Sequence, residues 1–211
     1  MNNKKAVAEK LLQINAIKLS VDKPFTWASG WKSPIYCDNR KILSFPYIRD
    51  FIKSELCNTV FQLYENVEML AGVATAGIPW GAMVADQLKL PYIYVRPKAK
   101  EHGLGNQIEG YYEEGKKVVV IEDLISTGKS SLLVAEVLKK EGLIVEGMVS
   151  IFNYGFDTAK NAFAAAKVGY HSLTDYDSVI TFAIEKNYVS QEDQNTLLNW
   201  RADPANWDTK S

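Results

Sequence analysis

The stretch Val118–Ser131, VVVIEDLISTGKSS, decides how the rest of the chain is read. Val118 to Ile121 are four consecutive β-branched residues, whose stiff side chains pack well on a pleated surface buried on both faces. Two adjacent carboxylates follow, Glu122 and Asp123, and then Ser126, Thr127, Gly128, Lys129 and Ser130 lead directly into a predicted helix. Carboxylates at a strand's carboxyl end can accept hydrogen bonds from vicinal sugar hydroxyls. The turn behind them offers backbone N–H groups, hydroxyls and a helix N-terminus, all suited to a phosphate monoester. Gly128 lets the backbone approach that phosphate closely. The triphosphate P-loop shares the ending Gly128-Lys129-Ser130, but it needs a glycine where this chain has Asp123, and a carboxylate there repels a triphosphate. The dinucleotide fingerprint fails as well, because Gly103 and Gly105 are followed by Ile108 at the third glycine position. The segment therefore reads as a sugar-phosphate site.

On either side of this segment the same alternation recurs. MLAGVA (69–74) and PYIYVR (91–96) read as strands before it, with a short helix, Pro79–Leu88, between them. A helix after it runs to about Glu141 and stops at Gly142, a residue suited to a left-handed cap. IVEGMVSIF (144–152) and an Ala-rich helix over about 157–167 complete the series. Such alternation implies right-handed crossovers and a mostly parallel central sheet flanked by helices, an α/β fold whose ligands lie beyond the carboxyl ends of the strands. Upstream, the spacing predicts a helix near 4–18, then short strands and turns in FTWASGWKSPIYCD (25–38). A helix starting at Ser44 and Pro46 carries the stripe Ile48, Phe51, Ile52, Leu56, Val60 and Leu63. The tail from Thr174 reads as two helices, the second capped by Ser190 with Asp193. One domain over 1–211 accounts for this: about 1–45 as an N-terminal addition, about 65–172 as sheet core, and 173–211 as C-terminal helices.

A formal net charge of −1 supplies no global field toward nucleic acid or an anionic membrane. Cys37 and Cys57 form no CxxC pair, which predicts reduced thiols in a cytoplasmic protein. The uncharged run Met69–Ala85 is interrupted by Gly72, Gly77, Pro79 and Gly81, so it reads as strand, turn and helix rather than a membrane span. Arg96, Lys98, Lys100 and His102 alternate, so an extended loop would project them to one side, between glycine hinges at 103, 105 and 110. His171 reads as a surface or packed residue.

The Val118–Ser131 segment resembles the phosphoribosyl pyrophosphate (PRPP) motif of type I phosphoribosyltransferases. RPKAKEHGLGNQIEG (96–110) is similar to the mobile catalytic loop of the orotate phosphoribosyltransferases, and FTWASGWKSPIYCD to their N-terminal signature. The resemblance implies the type I fold with a small N-terminal hood over the base. It also implies transfer of the phosphoribosyl group of PRPP to orotate, with Mg²⁺ held by PRPP oxygens and water rather than by a protein cage. Carried over by position, PRPP binding falls on Arg96, Lys100 and His102, on Glu122 and Asp123 for the ribose, and on Leu124, Ile125, Ser126, Thr127, Gly128, Lys129 and Ser130. Lys100, His102 and Asp123 would be catalytic, and Ser126 would contact orotate. The family's homodimer would place the loop in the neighbouring subunit's site. Ala28 and Thr75-Ala76 depart from the pattern, since some members carry lysines there, and an arginine those members have is absent from IFNYGFD (151–157). Two other readings stand beside this one: a PRPP-dependent enzyme for a different base, and a PRPP-sensing regulator that binds nucleic acid. Near-neutral charge disfavours the second.

Overall fold

The computed structural model describes residues 3–27, 29–98 and 106–207. The chain opens with α1 (Asn3–Gln13), which buries Val7, Ala8, Leu11 and Leu12. The predicted helix over 4–18 is thus too long. Asn15 takes a left-handed turn, and the apolar residues beyond it form β1 (Ile17–Leu19) instead. β1 pairs antiparallel with β4 (Ile35–Cys37), and between them β2 (Phe25–Thr26) pairs with β3 (Lys32–Ser33). These two small ribbons are the N-terminal addition. A 3-10 helix, Asn39–Ser44, separates them from α2 (Pro46–Leu63). Ser44 is therefore used up in the 3-10 turn and does not cap α2, which starts at Pro46 behind Phe45 with no side-chain cap. Of the predicted stripe, Ile52, Leu56 and Val60 are fully buried, whereas Leu63 faces outward at the helix end.

The central sheet has six strands in the order β10-β9-β8-β5-β6-β7. In chain order these are β5 (Met69–Val73), β6 (Tyr92–Val95), β7 (Ile108–Glu109), β8 (Lys117–Ile125), β9 (Ile144–Asn153) and β10 (Tyr170–Asp175). All pairings are parallel except β6 with β7, which forms an antiparallel edge. Successive residues of β8 serve opposite faces. Val119 and Ile121 pack with α1, α2 and the C-terminal helices, and Val118 and Val120 pack with α4 (Lys129–Lys140) and α5 (Asp157–Ala165). The all-β-branched run is what a strand covered on both sides requires. α3 (Gly77–Leu88) crosses close over β8: a Cβ on Gly77 would lie 2.6 Å from the Ile121 carbonyl oxygen. Gly142, with φ +78, ends α4 as the sequence predicts.

Within the central sheet, two strands were not expected, β7 and β10. The tail forms α6 (Tyr176–Glu185) and α7 (Asp193–Ala202), as read. The Ser190 hydroxyl accepts the Asp193 N–H at 3.2 Å, while Asp193 Oδ2 accepts the Ser190 N–H at 2.9 Å, but this pair closes the turn ahead of α7 rather than capping the helix, which starts at Asp193 behind Glu192 with no side-chain cap. Both cysteines are free. No helix among the described residues is long and apolar enough to cross a membrane.

Candidate active site

Strand order reverses between β5 and β8, because β6 leaves β5 on one side and β9 leaves β8 on the other. Loops leaving adjacent strands in opposite directions open a crevice at the strands' carboxyl ends. That crevice holds a cavity of about 290 Å³, lined by Val73–Ala76 from the β5 end and by Glu122–Leu124 and Ser126–Ser130 from the β8 end. The Ala74–Thr75 peptide in its wall is cis. Gly128, at φ +80, turns the chain into α4, so that Ser126, Thr127 and Ser130 surround the helix N-terminus. Hydroxyls and backbone N–H groups gathered at a helix N-terminus are chemically suited to an anion such as a phosphate.

The acids behave differently from a simple strand-end pair. β8 continues through them to Ile125, so both are held rigidly by the sheet, with Glu122 in register with Ser150 and Leu124 with Phe152. Glu122 is only 4% exposed. One of its oxygens accepts the Asp123 N–H at 2.9 Å and the other the Ser131 hydroxyl at 3.1 Å. Burial, and next the neighbouring Asp123 charge, push the Glu122 carboxyl well above the ordinary range. Asp123 is also raised, chiefly by burial, but its hydrogen bond with Glu122 opposes the rise. Two like charges this close do not both ionise easily, and the stronger upward push falls on the more deeply buried Glu122.

A second cavity, of about 400 Å³, adjoins the first and shares Leu124 and Ser126 with it. The N-terminal ribbons supply Thr26, Trp27, Ser29, Tyr36 and Cys37, and the β9 end supplies Tyr154. Three of its lining residues, Trp27, Tyr36 and Tyr154, are aromatic, which suits a planar ring. The two halves are tied by Asn39, which is buried and donates from Nδ2 to the Asp123 carbonyl oxygen at 2.7 Å. Its Oδ1 accepts the Cys37 thiol at 3.3 Å. Burial and the Asp123 charge keep that thiol protonated by raising its pKa strongly.

Of the residues singled out in the sequence, Glu122, Asp123, Leu124, Ser126, Thr127, Gly128, Lys129 and Ser130 all line the sugar-phosphate cavity. Ile125 does not: its side chain turns into the core, 1% exposed, because strand alternation points it away from the crevice. Arg96 lies apart, with its guanidinium 3.6 Å from Glu109 at the antiparallel edge. Lys100, His102 and Ala28 lie outside the described residues. Asn39, Trp27 and Tyr154 were not picked out from the sequence.

A phosphoribosyl transferase domain model matches residues 48–167, which span α2 to α5 and include both cavity-forming strand ends. An orotate phosphoribosyltransferase from Phocaeicola vulgatus is 54% identical over 204 residues, covering 97% of this chain and 96% of that protein. The chain belongs to the orotate phosphoribosyltransferases. The fold agrees with this membership. The crystal structure of orotate phosphoribosyltransferase from Aeropyrum pernix superposes with a TM-score of 0.75 at 29% identity, covering 87% of this chain and 99% of that one. The UMP synthase of Leishmania donovani gives a TM-score of 0.78 at 26% identity over 93% of this chain and 42% of that longer protein. The domain model's match, residues 48–167, leaves out the ribbons that wall the second cavity and the C-terminal helices behind them.

Proposed function

We propose that this family member joins the ribose 5-phosphate of PRPP to orotate, giving orotidine 5′-monophosphate and pyrophosphate in UMP synthesis. The observation that carries it is the meeting of a phosphate-cradling cavity and an aromatic, ring-shaped cavity at Leu124 and Ser126. A ribose bridging the two places its anomeric carbon at that junction. There the ring nitrogen of orotate forms the new bond while the bond to pyrophosphate breaks. Asp123, charged and held by the sheet, accepts hydrogen bonds from the ribose hydroxyls; Glu122 supports it as the protonated partner. The 5′-phosphate sits on the turn from Ser126 to Ser130, and Ser126 faces orotate. Thr75 and Ala76 line the opposite wall and flank the pyrophosphate.

Among the described residues no group of three or more His, Cys, Asp or Glu side chains is placed to hold a metal. With Glu122 already bonded to the protein, Asp123 leaves one free carboxylate. This set fits Mg²⁺ brought in on substrate oxygens and water. Bound in that way, the ion would supply positive charge beside the pyrophosphate, with Asp123 the one carboxylate of the pair free to face it.

Arg96, Lys100 and His102 supply further positive charge from a loop contributed by the neighbouring subunit of a homodimer, with His102 able to give a proton to pyrophosphate. The enzyme works in the cytoplasm on small molecules, without nucleic acid or membrane. Orotate consumption followed spectrophotometrically with PRPP and Mg²⁺, beside uracil, hypoxanthine and adenine, tests the assignment. Turnover of another base but not orotate would overturn it. The shared-site arrangement has its own test. Lys100→Ala and Asp123→Ala proteins, each inactive, should regain about a quarter of wild-type activity when mixed as dimers, since half the dimers are then mixed and each has one intact site. No recovery from subunits shown to exchange would assign the loop to its own subunit's site.

A further inference from the structure

Orotate is uracil bearing a carboxylate, so a pocket that selects it over uracil needs a cation near its ring-binding wall. None of the described residues lining the aromatic cavity carries a formal charge. Arg40, the basic residue whose field reaches both Tyr36 and Asp123, has its Nε committed to Asp38 at 2.7 Å. Lys32 is placed differently. β2 and β3 pair Thr26 directly with Lys32, so both side chains leave the same face of the ribbon. The Lys32 ammonium donates to the Thr26 hydroxyl at 2.8 Å, and Thr26 is a wall of the cavity. No carboxylate among the described residues lies within ion-pair range of that ammonium, whose hydrogen-bonded partner is neutral. The backbone beneath it is fixed, because the fully buried Trp200 donates from its indole nitrogen to the Lys32 carbonyl oxygen at 2.9 Å. The charge is thus anchored at its base, hydrogen-bonded to a residue of the cavity wall and without a counter-ion among the described residues.

We propose that Lys32 is a specificity-determining residue that pairs with the carboxylate of the base, an inference that rests on orotate being the substrate. Thr26 holds the ammonium at the rim in the empty protein and releases it to the incoming carboxylate, a stronger, charge-assisted partner. Uracil offers nothing in exchange for the Thr26 bond.

Steady-state kinetics on Lys32→Gln and Lys32→Arg, with wild type as the reference, test this. Loss of a charge-assisted hydrogen bond corresponds to a rise in the orotate KM of about 10- to 100-fold for Lys32→Gln. The PRPP KM and the melting temperature should stay at their wild-type values, and Lys32→Arg should recover much of the orotate affinity. The wild-type preference for orotate over uracil should shrink in Lys32→Gln. An orotate KM within twofold of wild type in Lys32→Gln would overturn the proposal, as would equal rises in the KM of orotate and PRPP. If wild type itself does not turn over orotate, the functional reading fails first, and that result is read before any variant is made.

Discussion

At the residue scale the site turns on an unequal pair. Glu122 and Asp123 are identical in charge on paper, but the sheet gives Glu122 two protein donors and almost no solvent, and gives Asp123 the cavity. The motif was legible because β-branched residues, acids and hydroxyls are contiguous. The pair's inequality was not, since it depends on Ser131, a helix residue turned back beneath the strand. Asn39 was hidden for a different reason: it meets Asp123 across 84 residues of chain. The inequality predicts a pH signature. Unfolded, Glu122 loses its proton near the usual value of about 4.3, whereas in the folded protein it keeps the proton to higher pH. Between those values the folded state binds more protons, so Glu122 lowers stability as pH rises through this window. Glu122→Gln does not titrate there; its amide oxygen can still accept from Asp123 and its NH₂ can donate to Ser131. Its stability should therefore gain on wild type as pH is raised from 4 toward 8, by about 1.4 kcal/mol for each unit separating the folded and unfolded values. Melting curves across that range check it, and a difference that stays flat with pH would show that Glu122 is not held protonated.

At the element scale β9 was read to within one residue of its end, whereas β8 runs three residues beyond the predicted 117–122, through the acids to Ile125. β10 was not anticipated. Its sequence, YHSLTD, fills two inward positions with hydroxyls, Ser172 and Thr174, that are nearly solvent-free. Ser172 meets Ser150 of β9 at 2.5 Å, and Thr174 donates to the Lys4 carbonyl of α1 at 2.8 Å, so hydrogen bonds satisfy positions where a hydrophobic pattern would show apolar residues. The turn between β8 and α4 is the element on which the proposed phosphate binding rests. Gly128 has φ +80, and a Cβ built there would lie 2.7 Å from the Phe163 ring of α5. Gly128→Ala therefore combines a left-handed backbone with a collision inside the core. A loss of about 1–3 kcal/mol in urea denaturation is expected. Because the turn moves with α4, the PRPP KM should rise more than the orotate KM. A variant of normal stability and normal PRPP KM would mean that the turn relaxes without cost.

Over the whole molecule, the second cavity is walled by the N-terminal ribbons and the ends of β8 and β9, and it is backed by a helix from the far end of the chain. Trp27 of the N-terminal ribbon and Tyr154 beyond β9 line the cavity, and both pack on Trp200 of α7, with ring centroids 5.6 and 5.9 Å away. Phe156 and Tyr176 complete the cluster around Trp200 at 5.6 and 5.7 Å. No local pattern in the sequence announces this, because the five tryptophans of the chain are spread from residue 27 to residue 207 and only the fold brings three of them together. The sugar-phosphate cavity makes no use of the cluster, apart from the shared Leu124 and Ser126. The two substrates should therefore respond differently to damage at Trp200. Trp200→Phe keeps most of the ring packing but leaves the Lys32 carbonyl without its donor, at a cost of about 1–3 kcal/mol if no water replaces it. Trp200→Ala also opens a cavity and should cost about 3–5 kcal/mol. Melting temperature should fall in that order, and orotate KM should rise in the same order while PRPP KM holds near its wild-type value in Trp200→Phe. A purely structural role would weaken both substrates together, so equal rises in the two KM values, or none in either, would separate the C-terminal helix from the base pocket.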